Sequence, residues 1–453
     1  MSFIGKSFGI LESAAKYFTI EVLASIVKQK WVEEAAARAT RPTERDRKLP
    51  GPFTTWLVIA LGLYRSLSIQ NVLRRIGSVF GSVSQWSDAE VPSSKATVQA
   101  RNRLGFGAMR WLLRRFQDWL LDEHREAMSW RKLLLLIVDG STLKMPDTEA
   151  NQRFFGCPGS SRGGRAAFPQ MRVLFVVSAK LRLVLRSWFA PYRRSEVVLA
   201  SRVLDEIPRG SLMLLDRAYL SWWFLWRIQQ RGDHFLVRVR RRINRRRLYS
   251  LGPADWRIRV RVPRALRRTH PEMPKFLELR EVGVRIRGRW YHYFTSLEDA
   301  TAYPAHELVE QYARRWEVET GFDELKTHQA GLATVNHPVM FRSAVPRRVL
   351  QEAYGLVIGY NVIRSLIVQA ASRHHVEPLR ISFTDTLDRV REAAPVMSAA
   401  RTHELPHLFA VLLASIAACT VPERSRRNPR LVCVKMSCYD KKHKPLLRSR
   451  RRA

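Results

Sequence analysis

The chain has 453 residues, which is enough for one large core or for two to three domains. Its 78 Lys and Arg outnumber its 40 Asp and Glu and leave a formal net charge of +38, so the expected partner is a polyanion such as duplex DNA or RNA. The longest apolar runs, residues 53–64 and 408–421, are shorter than the roughly 20 residues that span a bilayer, so a membrane protein is not expected. Residues 1–11 lack the apolar block of a signal peptide, so an exported protein is not expected either.

The first 125 residues predict a helical region. Residues 12–37 and 53–76 are rich in Ala, Leu, Ile and Val and are separated by proline-containing breaks. A further helix begins after Pro92, and the pattern gives it an exposed basic face carrying Lys95, Arg101 and Arg103. Residues 1–125 are therefore predicted to be a helical DNA-binding domain, with a plain helical packing domain as the alternative.

Two predicted strands each end at an aspartate. Residues 133–138 are six consecutive apolar residues, typical of a strand buried on both faces, and Asp139 follows directly; residues 212–215 repeat this pattern before Asp216. The segment between them is predicted to form two strands and a helix, at residues 173–178, 181–188 and 195–206. For either aspartate alone, a turn or salt-bridge role is the commoner explanation. Two aspartates in equivalent positions, with a third carboxylate on a later helix, favour a shared metal site.

A basic segment rich in β-structure follows the second aspartate. An arginine-rich run covers residues 238–247. The predicted elements are a helix at 222–230 and strands at 235–239, 257–262 and 279–284. The segment ends in four consecutive ring-bearing residues, Trp290 to Tyr293, which suit stacking on exposed bases. A hairpin packed on its own small core is the alternative.

Residues 312–326 predict a helix with two distinct faces. At about 100° per residue, one narrow polar face carries Tyr312, Arg315, Glu319 and Lys326. The neighbouring apolar stripe, which would dock the helix onto a core, contains Val318, Phe322 and Leu325. A carboxylate flanked by cations can hold a metal ion while its neighbours bind phosphates. A solvated helix with ordinary charge pairs is the alternative.

The remaining predicted helices lie near the end of the chain. Residues 347–371 form a long apolar helix whose Asn361 and Arg364 indicate burial within protein rather than a bilayer span. Two more helices are predicted at residues 381–394 and 404–419.

The last thirty residues, 424–453, contain twelve Lys or Arg and predict a basic tail that is disordered until it meets phosphate. Cys433, Cys438 and His443 offer three zinc ligands but lack a fourth ligand and the usual Cys-x2-Cys spacing. Four cysteines in the whole chain are too few for a disulfide scaffold, so a reducing cytosol is expected.

These features resemble the DDE transposases of insertion-sequence family 4. The spacing Tyr312-x2-Arg315-x3-Glu319-x6-Lys326 matches the Tyr-Arg-Glu-Lys signature of that family at all four positions, and Trp316 matches as well. Two shorter segments are similar to the first and second aspartate motifs of the family, Ile137-Val138-Asp139-Gly140 and Leu215-Asp216-Arg217-Ala218-Tyr219. The resemblance extends from about residue 53 to residue 435.

The resemblance implies an α/β fold in which a ribonuclease-H-like catalytic core is interrupted by a β-rich insertion and flanked by helical regions. By position, the core would occupy residues 126–239 and 301–345, and the insertion would occupy residues 240–300. Residues 346–423 would be a helical region used in dimerisation. A bacterial cytoplasmic protein acting at the nucleoid is also implied.

The activity implied by the resemblance is cut-and-paste movement of the protein's own element, by a homodimer that binds the terminal inverted repeats and target DNA. Asp139, Asp216 and Glu319 would hold two divalent ions, normally Mg²⁺ with Mn²⁺ as a substitute, which activate water and then a DNA 3′-hydroxyl. The residues that would bind phosphates near the transposon end are Tyr312, Arg315 and Lys326.

Two further residues are implied by position. Trp290 stands about where relatives keep a tryptophan that stacks on a flipped base, and Asp323, one turn past Glu319, is the alternative third ligand. A transposase-derived DNA-binding protein without catalytic activity is the alternative function. The intact carboxylates argue against it, because anionic groups beside phosphates do not help a protein that only binds DNA.

Overall fold

The computed structural model describes residues 26–40, 49–79, 91–159, 168–239, 243–330, 340–401 and 403–422. The predicted basic tail, with Cys433, Cys438 and His443, lies outside the described residues, as does the first part of the helix predicted at 12–37.

A mixed β-sheet forms the centre of the described structure. Its strands are β1 Ser129–Trp130, β2 Leu133–Lys144, β3 Gln170–Ser178, β4 Val184–Pro191, β5 Ser211–Leu215, β6 His234–Val239, β7 Arg246–Gly252, β8 Asp255–Arg261, β9 Phe276–Ile286 and β10 Arg289–Thr295. The order is β4-β3-β2-β5-β6-β10-β9-β8-β7, with β1 paired to β2. β2, β5 and β6 are parallel, and their neighbours on both sides are antiparallel. The predicted strands are thus confirmed.

The strands of the predicted insertion continue the same sheet. β10 pairs with β6 through Tyr293 and Arg238, and β9, β8 and β7 then extend the sheet outward. The hairpin with its own small core is therefore not what the described residues form.

Helices pack against the part of the sheet that contains β2, β3, β4 and β6. In chain order they are α1 Gln29–Ala37, α2 Gly51–Leu63, α3 Ile69–Val79, α4 Ser94–Glu123, α5 Glu149–Phe155, α6 Glu196–Val203, α7 Trp222–Gln230, α8 Arg264–Thr269, α9 Ala305–Ala313, α10 Glu317–Asp323, α11 Pro346–His374, α12 Phe383–Ala399 and α13 Leu405–Ala418. Residues 53–76, which were predicted to be helical, form two helices, because α2 ends at Leu63 and α3 begins at Ile69. Ser68 accounts for the break, since its Oγ accepts a hydrogen bond from Asn71 N at 3.2 Å and so starts a new helix.

α11 is the helix around which the α-helical regions pack. By length and composition it could cross a bilayer, but 89% of its most apolar window is buried in the protein, as expected for a core helix. Glycines allow α2 to approach it closely, because a Cβ on Gly355 would lie 2.5 Å from Val58 O. Asn361 and Arg364 are fully buried in it, which confirms the predicted burial.

Contact with α11 also corrects the predicted basic face of α4. Arg101 is buried, and it donates hydrogen bonds to Gln351 at 2.8 Å and to Glu352 at 3.2 Å. Arg101 therefore joins the N-terminal helices to the core and is not on an exposed basic surface, because two acceptors on α11 satisfy its guanidinium.

Candidate active site

The two predicted aspartates stand side by side on adjacent parallel strands. Val138 of β2 pairs with Leu215, the last residue of β5, so Asp139 in β2 and Asp216 just after β5 both follow the last paired position. The spacing of neighbouring strands puts the two backbones roughly 5 Å apart at that position. Asp139 Oδ1 accepts a hydrogen bond from Gly140 N at 2.8 Å, and Asp216 Oδ1 accepts one from Arg217 N at 2.7 Å. These local bonds fix the direction of both carboxylates.

The third carboxylate lies on a helical segment that is less regular than predicted. Instead of one helix over 312–326, α9 is followed by a 3₁₀ turn at Arg314–Trp316, by α10 and by a π-helical turn at Glu324–Gln329. Such changes of helical type often occur at functional sites. The predicted apolar stripe is confirmed by its burial, at Val318, Phe322 and Leu325.

Arg315 links two of the three carboxylates. Its Nη1 lies 3.7 Å from Asp139 Oδ2, and its Nη2 donates a hydrogen bond to Glu319 Oε1 at 3.1 Å. Burial tends to lower the pKa of Arg315, but Tyr312 and the carboxylates, including Asp216, raise it. Asp139 and Glu319, which are distant in sequence, therefore meet at one guanidinium, and Asp216 acts on it through its charge.

The cluster has the donor chemistry of a Mg²⁺ site but is not assembled as one. Within the described residues, no three or more His, Cys, Asp or Glu side chains are grouped closely enough to hold a metal ion. Carboxylate oxygens are nevertheless the ligands that Mg²⁺ prefers. Burial raises the pKa of Asp139 to about 7; the Gly140 N–H and Arg315 oppose this rise, while neighbouring carboxylates add to it. A divalent ion would offset the cost of burying the charged form of Asp139, provided that the Arg315 side chain moved away.

Two other signature residues lie in the same cluster. Lys326 Nζ donates a hydrogen bond to Ser141 Oγ, and burial lowers the pKa of Lys326 to about 8 although Asp139 opposes this fall. The buried Tyr312 donates its hydroxyl proton to Leu215 O at 3.1 Å. All four Tyr-Arg-Glu-Lys residues therefore surround the end of β5 or the middle of β2.

Glu324, which sequence reasoning did not single out, anchors the π-helical turn. Its buried carboxylate accepts hydrogen bonds from Arg182 at 2.8 Å, from Arg364 at 2.6 and 2.8 Å, and from the Tyr360 hydroxyl at 3.0 Å. This network fixes the turn that carries Lys326, two residues later. Nothing in the local sequence distinguishes Glu324 from an exposed acid, because its partners come from β4's preceding turn and from α11.

Asp323 and Trp290 do not join the cluster. The side chain of Asp323 is 62% exposed and accepts a hydrogen bond from Thr327 Oγ1 at 2.7 Å. Trp290 is 52% exposed near the start of β10. Strand alternation directs it to the face opposite Tyr293, whose ring lies 4.7 Å from that of Tyr312. The base-stacking role of Trp290 stays a prediction.

A separate basic groove lies where α4, α5 and the start of α11 meet. It has a volume of about 1210 Å³, and among the described residues its lining contains arginines and no acidic residue. The arginines are Arg103, Arg347 and Arg348, together with the buried Arg101 whose charge is paired with Glu352, and the exposed ring of Phe154 stands at the side of the groove. Positive charge with an exposed aromatic ring is the combination that binds nucleic acid; we call this feature the arginine groove.

Comparison with known proteins identifies the family. A model of a transposase DDE domain matches residues 130–337, and a model of the N-terminal region of the insertion element 4 transposase matches residues 18–114, so that together they cover more than half of the chain. The transposase InsG for insertion sequence element IS4, from Escherichia coli K12, is 25% identical over 418 residues, which are 90% of this chain and 91% of that protein. The chain belongs to the insertion-sequence-4 family of DDE transposases.

Two further similarities accompany this family match. The transposase is 27% identical to the putative transposase InsZ of Escherichia coli K12 over 219 residues, which are 48% of this chain and 71% of that protein. A solved structure of a piggyBac transposase synaptic complex with hairpin DNA aligns with 92% of this chain and 86% of that chain, with 11% identity and a TM-score of 0.39.

Proposed function

We propose that this transposase cuts and rejoins DNA at a divalent-ion site formed by Asp139, Asp216 and Glu319. The observation that carries the proposal is the pairing of Asp139 and Glu319 with Arg315, close to the end of β5 where Asp216 stands and to the half-buried Lys326. When bound, two Mg²⁺ ions, or Mn²⁺ in their place, would supply an activated water or DNA 3′-hydroxyl for attack on a phosphodiester.

The cationic side chains of the cluster give the proposed reaction its phosphate contacts. Arg315 is paired with Asp139 and Glu319. If a divalent ion took its place beside these carboxylates, the guanidinium would be released to bind a DNA phosphate. Lys326 donates a hydrogen bond to Ser141, two residues after Asp139 on β2, and would bind the same phosphate. Tyr312 holds the end of β5 through Leu215 O and so keeps Asp216 in position.

The proposed fold of the catalytic core is ribonuclease-H-like. Its support is the order β4-β3-β2-β5-β6, with three parallel strands at the centre and two antiparallel strands at one edge. The two aspartates lie on the first and second parallel strands, where a ligand site is expected in a sheet of this kind.

DNA is the proposed substrate, in the form of the element's own terminal inverted repeats and a target. The net charge of +38 and the arginine groove support this part of the proposal. We further propose that residues 1–125 bind DNA, that residues 346–423 mediate a homodimer in the synaptic complex, and that the protein acts at the bacterial nucleoid.

The test is Mg²⁺-dependent cleavage of DNA that carries the ends of the element. Asp216→Asn and Glu319→Gln should abolish cleavage while leaving end binding almost unchanged, and the matched control Asp323→Asn should cleave normally. Cleavage by Glu319→Gln at the wild-type rate would remove Glu319 from the site. Binding without cleavage in the wild-type protein would instead favour a DNA-binding protein that has lost its chemistry.

A further inference from the structure

Contacts among the elements that form the arginine groove hold its walls together. α4 is interrupted at Gly105, which has a φ of 73°, and Gln351 of α11 donates hydrogen bonds to Arg101 O and Gly105 O there, both at 3.0 Å. Thr148, the residue before α5, donates its hydroxyl proton to Ala344 O at 2.7 Å, just before α11 begins. The groove is therefore a built feature of the fold, because side chains join all three of its helices.

The charge that lines the groove is positive and is only partly neutralised. The buried Arg101 is paired with Glu352, but Arg348 donates a hydrogen bond at 3.0 Å to the neutral side chain of Asn102, and Arg347 is exposed. Arg347 and Arg348 lie in the first turn of α11, whose N-terminus adds partial positive charge. The groove therefore attracts anions, and guanidinium groups match the geometry of phosphate.

An aromatic ring stands beside these arginines. Phe154 is 48% exposed, and its ring packs edge-to-face against the buried Phe155 at a centroid distance of 4.8 Å. This contact fixes the ring as a platform. In a duplex, neighbouring bases cover both faces of each base, whereas an unpaired base has a free face that stacks on an aromatic side chain. The ring therefore favours an unpaired strand over a duplex.

The size and position of the groove suit a strand of DNA. Its volume of about 1210 Å³ exceeds the roughly 300–1,000 Å³ of small-molecule pockets, so several nucleotides fit it better than one small ligand. Ala150 lines the groove and follows Asp139 closely in the chain, so the groove lies at most roughly 40 Å from the proposed cleavage site. A B-form strand covers that distance in about twelve nucleotides. A strand held at the cleavage site therefore reaches the groove with a short flank.

We propose that the arginine groove binds an unpaired DNA strand, with a base stacked on Phe154 and phosphates on Arg347 and Arg348. This inference rests on the proposed function for the source of that strand, because a duplex that opens beside a cut leaves bases without partners. Duplex DNA in the groove is the alternative.

The experiment measures binding of the full-length protein to two fluorescein-labelled probes by anisotropy. One probe is a single-stranded oligothymidine of about 15 nucleotides, and the other is a blunt duplex of the same length. Phe154→Ala should weaken oligothymidine binding by about 5- to 100-fold, the loss expected for one stacked base, and should change duplex binding by less than about 2-fold.

Three variants control for effects other than stacking. Phe154→Leu keeps apolar contact with Phe155 but has no ring, so it should show the same loss as Phe154→Ala. Phe154→Trp keeps an aromatic ring and should bind both probes like the wild type. Phe276→Ala removes an exposed ring on β9 that also lies beside basic side chains, and it should bind both probes like the wild type.

Arg347→Ala tests the charge of the groove separately from stacking. It should weaken binding of both probes, because the exposed guanidinium reaches the phosphates of either. For oligothymidine it should also reduce by about 0.7 the slope of log affinity against log salt concentration, whereas Phe154→Ala should leave that slope unchanged. An unchanged slope in Arg347→Ala would show that Arg347 does not contact phosphate, and it would overturn that part of the proposal.

Two results would overturn the stacking role of Phe154. Equal loss of both probes in Phe154→Leu, at an unchanged melting temperature, would show that the groove takes duplex DNA. Unchanged oligothymidine binding in Phe154→Leu, with a loss in Trp290→Ala instead, would place the unpaired strand at β10. Either result leaves the proposed function intact, because Mg²⁺-dependent cleavage is measured separately. A protein that binds oligothymidine through Phe154 but cleaves no DNA would refute the proposed function alone.

Discussion

Replacing Asp139 by asparagine should stabilise the metal-free protein in a pH-dependent way. Burial raises the pKa of Asp139 from 3.8 to about 7, so between these values the folded state binds more protons than the unfolded state. Stability must therefore fall as pH rises through this window, and the full cost is present above pH 7. A shift of roughly 3 units corresponds to about 4 kcal/mol. Asparagine, which stays neutral, avoids this cost.

The assay is urea unfolding in EDTA at pH 4 and pH 8, followed by tryptophan fluorescence. The difference between Asp139→Asn and wild type in the free energy of unfolding should be about 4 kcal/mol more favourable at pH 8 than at pH 4. Comparing the two pH values removes the pH-independent effect of the amide. Asp323→Asn, at an exposed site nearby, should change by less than about 0.5 kcal/mol at either pH.

Added Mg²⁺ extends the same experiment. At pH 8 it should stabilise the wild type but not Asp139→Asn, and so reduce the advantage of the variant. In EDTA, the gain in the free energy of unfolding from Asp139→Asn could differ by less than about 1 kcal/mol between the two pH values. That result would mean that Asp139 is ionised at little cost in the folded protein. The Asp139 carboxylate would then not need a cation.

Three further predictions concern the arginine groove and the second half of the signature. Arg347→Ala should weaken DNA binding and reduce by about one the slope of log affinity against log salt concentration, whereas Arg373→Ala, at the other end of α11, should do neither. Equal effects of the two substitutions would show that DNA does not bind in the arginine groove. Glu324→Gln should cost about 3–5 kcal/mol in urea unfolding, because the fully buried Arg364 loses its carboxylate partner and Arg182 keeps only Glu317; a loss below about 1 kcal/mol would contradict the anchoring role. Lys326 has a pKa of about 8 and loses its charge above that pH, so at pH 9 Lys326→Arg should bind DNA more strongly than the wild type. Identical binding by the two proteins would show that Lys326 does not contact phosphate.

The amino-acid sequence by itself determined the local elements and the candidates for chemistry. The apolar runs before Asp139 and Asp216 fixed two buried strands, and the apolar stripe through Val318 and Phe322 fixed the docking face of the helical segment. Periodicity carries this information because burial on one face or two is a property of a single element. The spacing that ends at Lys326 likewise needed no other part of the chain.

Tertiary structure alone decided which of these candidates meet and which other residues join them. The parallel pairing of β2 with β5 placed the two aspartates side by side, and contact with α11 buried Arg101, which periodicity had assigned to an exposed face. Glu324 has no distinctive local signal, because its role depends on partners far away in the sequence. A side chain's neighbours across an element boundary are set by packing, and packing is a property of the whole fold.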